Sequence, residues 1–480
     1  PSDWWTGPDP DSPSAWSCLW GGPPMSEKRK RRLTEWGKSL LIVLLSVSAL
    51  YLVGRTQFYM DGSAIGQSWL SSVLSILPGG EETQPAQSVA VWSEGTAVRP
   101  VRAVVTGPHG RSGIQYDQES VERLFSSFAN PLSDALAGCS APEQTTAAKF
   151  QAALGSKNPG VYLDFLGGVP LADLSAWLSG GRAPNQALTD TARRLLLTVT
   201  DEGDVVLYYI NEDTGLYYAC ETTRDLAERL SQLVEGISPN GAAFAFESGG
   251  PYAILDPYTL LEGGATPQPG RYASSNPVPL PADTGGSYGA AFDALVQSLS
   301  FHAQSMSYPY RNAVAVQEGA ERLHIFKNGL VTYEAADLED PRFPVQGEGE
   351  NLTHWEIVGS AWAFVERTLS PLCGEARLYL IGTEEGEAGG TAVLIGYQLD
   401  GAPVLVGRDG YAARVEISGG AITAFRLQLR TYTYLEEGPM VLPELQATAA
   451  LSALEGGGSE LMLYYPDTRG DTVTAAWGAF

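Results

Sequence analysis

The stretch from Met25 to Arg55, MSEKRKRRLTEWGKSLLIVLLSVSALYLVGR, constrains this chain more than any other, because a cluster of cations precedes an apolar run and a single cation closes it. Sixteen uncharged residues lie between Lys38 and Arg55, and Trp36 to Val53 makes eighteen. That is at the lower end of the ~17–25 residues that cross hydrocarbon as a helix. Lys28, Arg29, Lys30, Arg31, Arg32 and Lys38 stand before the run and only Arg55 closely follows it. This asymmetry places the N-terminus in the cytoplasm and the 425 residues after Arg55 outside. Trp36 and Tyr51 fall where amphipathic rings settle at the headgroup level. The rival reading is a cleaved signal peptide with Val47-Ser48-Ala49 as the processing site, but it leaves only Leu40 to Leu45 as apolar core, shorter than such segments require. We therefore expect an uncleaved single-pass anchor over 36–54, with Ser46, Ser48 and Ala49 small enough for close approach of a second helix in lipid.

The remainder is acidic. Seven of the 30 Lys and Arg and five of the 55 Asp and Glu lie at or before Arg55, which leaves 23 basic and 50 acidic side chains beyond it. A surface with that balance argues against nucleic acid or an anionic membrane face as a partner. The cysteines are Cys18, Cys139, Cys220 and Cys373, so the exported part holds three, too few for a disulfide scaffold: one pair can close and one stays free. With histidine only at His109, His302, His324 and His354, and no close Cys-Cys or Cys-His spacing, we expect neither metal nor cofactor.

A length of 480 residues fits ~3 domains. Residues 1–24 show no period of either kind, and Met25 opens a stretch with the marks of a natural start, so we expect 1–35 to be a disordered cytoplasmic tail whose first part precedes the natural protein. Residues 55–88 read as a juxtamembrane linker, ending in PGGEETQPAQ. The first folded unit, 89–240, begins with a β-rich run at Val98–Val105, then a helix capped by Asp117 and faced by Val121, Leu124, Phe125 and Phe128. Ser140 and Glu143 suggest a capping box for a second helix through Phe150 and Leu154. Three β-rich runs between Arg194 and Glu221 form a meander, and a helix over Thr223–Val234 covers one side of it. The second unit, 241–350, opens with strands at Ala242–Phe246 and Tyr252–Leu255, crosses a proline-rich stretch, and ends in a hairpin turned at Lys327-Asn328-Gly329. The third, 351–480, repeats one helix followed by hairpins, with Asp400-Gly401 as a turn. RVEISGGAITAF, Arg414–Phe425, lies over RLHIFKNGLVTY, Arg322–Tyr333, with apolar and turn positions in register, so the last two units read as a duplicated module. The fold class expected is α+β: antiparallel sheets packed with single helices.

Catalytic chemistry has little to stand on. Gly285-Gly286-Ser287-Tyr288-Gly289 matches the G-x-S-x-G of a hydrolase nucleophile elbow, but that elbow needs a buried strand before the serine. The preceding NPVPLPADTG cannot make a central strand, since proline has no N–H for the ladder. A glycine-rich loop before a helix at Ala290 explains the residues better, and nothing selects His302, His324 or His354 as a base. Glu384, Glu385 and Glu387 sit among glycines and read as an exposed turn. We expect no enzyme.

The segments Leu196–Tyr218, RLHIFKNGLVTYEA at Arg322–Ala335, and GYQLDGAPVLVGRDGYAARVEISGGAITAFRLQLRTYTYLEEG at Gly396–Gly438, followed by a helix after Leu442-Pro443, resemble the YycH/YycI family in their order. That family comprises membrane-anchored accessory regulators of the WalK–WalR cell-wall two-component system in Gram-positive bacteria, and the three-unit layout is YycH-like. The resemblance implies a non-catalytic regulator of a membrane sensor histidine kinase, acting in cell-wall homeostasis, with a paralogous regulator as a further partner and the bilayer engaged by one helix. The alternatives are an anchored module that binds an envelope polymer or exported protein and, more remotely, a serine hydrolase using Ser287.

Overall fold

The computed structural model describes residues 98–480 apart from 181–183, 263–265, 281–287, 303–304, 346, 348–351, 388 and 454–458. All of these belong to one compact unit, Leu77–Phe480. The anchor over 36–54, the cations Lys28 to Arg32 and Lys38, and the contact candidates Ser46, Ser48 and Ala49 lie outside the described residues. Within the described residues no helix is long and apolar enough to cross a membrane.

The described residues form an α+β structure with eight α-helices, a seven-stranded sheet and an eleven-stranded sheet. The first sheet runs in the spatial order 110–115, 102–107, 160–170, 191–199, 205–211, 217–221, 143–145, with every neighbour antiparallel. Its strands are apolar on both sides because both sides are covered. Ala103, Val105, Val161, Leu163, Leu195 and Leu197 face the main core, where the helices Gln118–Gly138 and Leu226–Glu235 pack. The alternate residues Val104, Tyr162 and Leu196 face a second core with Phe150, Leu154, Phe244, Tyr258 and Leu260. Residues 242–261 thus cover the sheet built by 102–221, so packing runs across the expected boundary near 240.

The larger sheet joins strands from both sides of residue 350. Its order begins 306–310, 313–318, 321–326, 330–334 and continues 421–428, 413–418, 391–399, 402–406, 461–467 and 476–479, with 377–385 also paired to 391–399. No break in hydrogen bonding therefore corresponds to the expected division near 350. The two similar hairpins meet edge to edge: Tyr333 pairs with Phe425, its counterpart in the aligned repeat, and their rings stack at 5.0 Å between centroids. The pair 402–406 with 461–467 is parallel, a departure from the all-antiparallel expectation, with the helix Glu444–Ser452 lying between 406 and 461 along the chain.

Several local expectations are corrected. Residues 143–145 are an edge strand on 217–221, so the following helix starts at Ala147, and Thr146 caps it by accepting from the Lys149 N–H at 3.2 Å. Gly250–Ile254 is a 3₁₀ turn rather than a strand, since Gly249 and Gly250 both take positive φ ahead of Pro251. The proline-rich crossing contains a strand, Gly270–Ser275, in a small sheet with 431–437 and 472–474.

Two features join the sheets. The strand 160–170 bulges between Asp164 and Val169, and Gly167 lets the backbone of 377–385 approach: a Cβ there would stand 1.8 Å from the Leu380 carbonyl oxygen. Beside it lies a buried charge network. Asp164 accepts from Arg193 at 2.8 and 2.9 Å and from Arg102 at 3.0 Å, while Glu460 accepts from Arg102, from Arg193 at 2.8 Å and from Arg194 at 3.0 Å. Arg194 also meets Asp256 at 3.2 Å, so three guanidiniums face three carboxylates. Burial alone would raise both deeply buried carboxyls, but Arg193 and Arg102 hold Asp164 low, and with Arg194 they hold Glu460 well below the usual carboxylate range.

Candidate functional site: the open face of the larger sheet

The helix His354–Leu369 covers one face of the larger sheet. Thr353 caps it, with the Glu356 side chain returning to the Thr353 N–H at 2.7 Å. Its inward side chains Val358, Ala361, Phe364 and Val365 meet Leu323, Ile325, Val331, Phe425 and Val415 in the main core. Because side chains alternate along a strand, the intervening residues point to the opposite face. That face forms a groove of about 800 Å³ at the fused hairpins.

Register fixes its chemistry. His324 lies opposite Thr332, Thr332 opposite Arg426, and Arg426 opposite Arg414, which makes one row across four strands. The next row is Arg322, Glu334, Ala424 and Glu416. Arg414 is fastened, donating to Glu384 at 2.8 Å and to Glu416, whereas among the described residues Arg426 makes no ion pair. The Tyr310 ring lies 5.2 Å from His324. Partial burial, and then the Arg322 charge, hold His324 below its ordinary pKa. Ala335, Ala336 and Leu338 form part of the wall. A groove with cations, carboxylates and an aromatic rim, on the solvent side of a rigid sheet, suits the polar periphery of a protein interface. Among the described residues it holds no nucleophile hydrogen-bonded to a base.

A second concavity, of about 380 Å³, is apolar. Met440, Leu442, Leu451, Leu461 and Trp477 line it, with Met440 80% and Leu442 50% exposed. The Trp477 indole N–H is satisfied by the Leu442 carbonyl at 2.8 Å.

The histidines weighed as a catalytic base are spread over separate elements. Ser287 lies outside the described residues, and the helix Ala290–Ser298 begins directly after Gly289. His302 is on the exposed segment after that helix, 3.8 Å from Glu318. His324 is on the open sheet face, and His354 begins the long helix, with its Nε2 3.4 Å from Thr383 Oγ1. Of the acidic run, Glu384 serves as a partner of Arg414. No group of His, Cys, Asp and Glu that could hold a metal occurs among the described residues. Sequence reasoning missed the rows themselves. The alternation in RLHIF and LVTYE was the available signal, since Arg322 and His324 must share a face that Leu323 and Ile325 do not.

No family model and no curated protein matches the sequence. Among solved structures, the crystal structure of YycH from Bacillus subtilis is similar at 11% identity and a TM-score of 0.46, over 81% of this chain and 95% of that one.

Proposed function

We propose that this chain is a non-catalytic accessory regulator of a membrane sensor histidine kinase, held in the cell membrane by one helix with its N-terminus cytoplasmic and its sheets outside. One observation carries the reading: Arg322–Ala335 and Gly396–Gly438, the segments that resemble the YycH/YycI family, supply the strands that line the open groove. The likeness thus falls on the face available to a partner as well as on the scaffold. A regulator of this kind acts only if it binds two kinase states unequally, because equal affinity shifts no population. The anchor residues Ser46, Ser48 and Ala49 and the groove residues Arg322 and Arg426 are the two places where that inequality can arise. Chemical crosslinking in intact membranes followed by mass spectrometry tests the reading. Enrichment of a sensor kinase over an anchor-swapped control supports it, and equal recovery from both removes it.

A second reading, an anchored module that binds an envelope polymer or exported protein, is favoured by the exposed Arg426 side chain, which no carboxylate neutralises among the described residues. Binding of the purified protein to isolated cell wall, abolished by Arg426→Ala and by moderate salt, would select it. A hydrolase would lose its activity in Ser287→Ala, a change that leaves both binding readings intact.

A further inference from the structure

The three described cysteines are all buried, and all three carry thiols in this structure. They are not equivalent. Cys373 follows the long helix, and its thiol has the Ala376 carbonyl at 3.0 Å and the Ser370 carbonyl at 3.3 Å as acceptors for its one hydrogen. Cys139 and Cys220 instead meet each other. Cys139 ends the helix Gln118–Gly138, and Asn185 Nδ2 fixes that end by donating to the Leu136 and Cys139 carbonyls at 3.0 and 3.1 Å. Cys220 lies in the strand Tyr217–Glu221, paired to Leu207 and facing the main core. The next residue on each side closes the junction: the Ser140 N–H donates to the Glu221 carbonyl at 3.0 Å, and the Glu221 N–H donates to Ser140 Oγ at 3.2 Å. Clamped this way, the two thiols are near neighbours in the main core.

We propose that Cys139 and Cys220 form a disulfide that fastens the end of the first helix to the strand 217–221, leaving Cys373 as a free thiol. The oxidant is a small-molecule or protein disulfide. One cysteine thiolate attacks it, releasing one thiol and forming a mixed disulfide; the second cysteine then displaces the remaining half as a second thiol. Two electrons and two protons pass to the oxidant, and the protein gains one S–S bond. The hydrogen bond with Cys220, then burial, keep the Cys139 thiol protonated in the folded chain. Since the thiolate is the reactive form, the bond is made while the chain folds and only slowly afterwards. It closes a loop of about 80 residues, long enough for a large effect on the unfolded state. This inference concerns the fold and an oxidant, and so stands apart from the kinase reading.

The full chain in detergent is reduced, unfolded in urea, refolded with reduced and oxidised glutathione, alkylated and digested. The expected result is a cross-linked peptide joining Cys139 to Cys220, with Cys373 alkylated. Recovery of both Cys139 and Cys220 as alkylated thiols overturns the proposal, as does a bond from either of them to Cys373. The double variant Cys139→Ala/Cys220→Ala tests the fastening separately. Reductant should lower the Tm of the refolded wild type by about 5 °C and leave that of the variant unchanged. A wild type whose Tm ignores the reductant shows that the helix end is not fastened, and also overturns it.

Discussion

The strand Gly160–Pro170 is buried along its whole length, whereas in the hairpin Glu321–Phe326 and Leu330–Glu334 buried positions alternate with exposed or half-buried ones. Both sit in the interior of large, mainly antiparallel arrays, so strand position alone does not explain the difference. The first sheet is a filling between two cores, and its identity is fixed by what covers it. At the fused hairpins of the larger sheet one helix fills one face, and the other is left to water, charge and any partner. A substitution in the first sheet should therefore be read out as stability, and one on the open face of the second as recognition.

The largest expected effect comes from the network that joins the two. Glu460→Ala leaves Arg102, Arg193 and Arg194 facing one fewer carboxylate in a buried site, where removal of one partner typically costs about 3–5 kcal/mol. Calorimetry should give a Tm lower by roughly 10 °C, and a fall under about 2 °C would mean that the network is solvated. The same site sets the acid limb. The folded-state pKa values of Glu460 and Asp164 are depressed, so their contribution is complete above the unfolded carboxylate values near 4 and is lost as pH falls below them. Urea midpoints between pH 5 and pH 2 should drop more steeply for the wild type than for Glu460→Ala. Next in size is Leu196→Ala, which opens the second core beside Phe150 and Tyr162 and should cost about 3 kcal/mol. Thr332→Ala, at the centre of the open face, should stay within about 0.5 kcal/mol. Equal costs for these two, measured by urea unfolding, would erase the distinction between the sheets.

Much of this contrast was legible in the sequence, and the rest was not for identifiable reasons. The long helix and both repeat hairpins follow from local pattern: Ala361, Phe364 and Val365 recur at helical spacing, and Lys327-Asn328-Gly329 turns one hairpin. Arg193 and Arg194 gave no hint of burial, because their carboxylate partner Glu460 is 266 residues away from Arg194. The short strand Gly270–Ser275 hid in a proline-rich stretch, since its partners at 431–437 and 472–474 exist only in the folded chain. The sheet draws strands from both sides of residue 350 for a related reason. Two hairpins of like pattern each expose an edge, and pairing Tyr333 with Phe425 removes both edges at once. The open groove follows from that pairing, which no single hairpin encodes.

A smaller effect separates the sheets by pH. Glu262 and Glu444 lie together where the cover of the first sheet meets the C-terminal helix, with the Glu262 N–H 3.3 Å from a Glu444 carboxylate oxygen. Burial pushes both carboxyls up to about 7. A raised carboxyl favours its protonated form in the folded chain, so this contribution is present below pH 4.5 and is lost as pH rises through about 7. Glu444→Gln removes the group that must charge, and should gain roughly 1–2 kcal/mol at pH 8 relative to pH 5. A gain equal at both pH values, read from paired unfolding curves, would show that the two carboxyls titrate as solvated groups.

The smallest expected effect on stability is the sharpest test of the open face. Arg426 lies between Thr332 and Arg414 in the row across the fused hairpins, and it makes no ion pair among the described residues. Arg426→Glu puts a carboxylate directly opposite Arg414, a favourable cross-strand pairing worth a few tenths of a kcal/mol, so the fold loses nothing. Arg322→Glu is less clean, because it sets two acids opposite each other at Glu334. The Tm of Arg426→Glu should stay within about 1 °C of the wild type, while crosslinked recovery of the proposed kinase partner falls by about fivefold and its salt dependence weakens. Leu196→Ala, assayed well below its own Tm, should keep wild-type recovery despite its larger loss of stability. If instead Leu196→Ala loses the partner and Arg426→Glu keeps it, the recognition surface is not the open face, and the contrast between the two sheets describes packing alone.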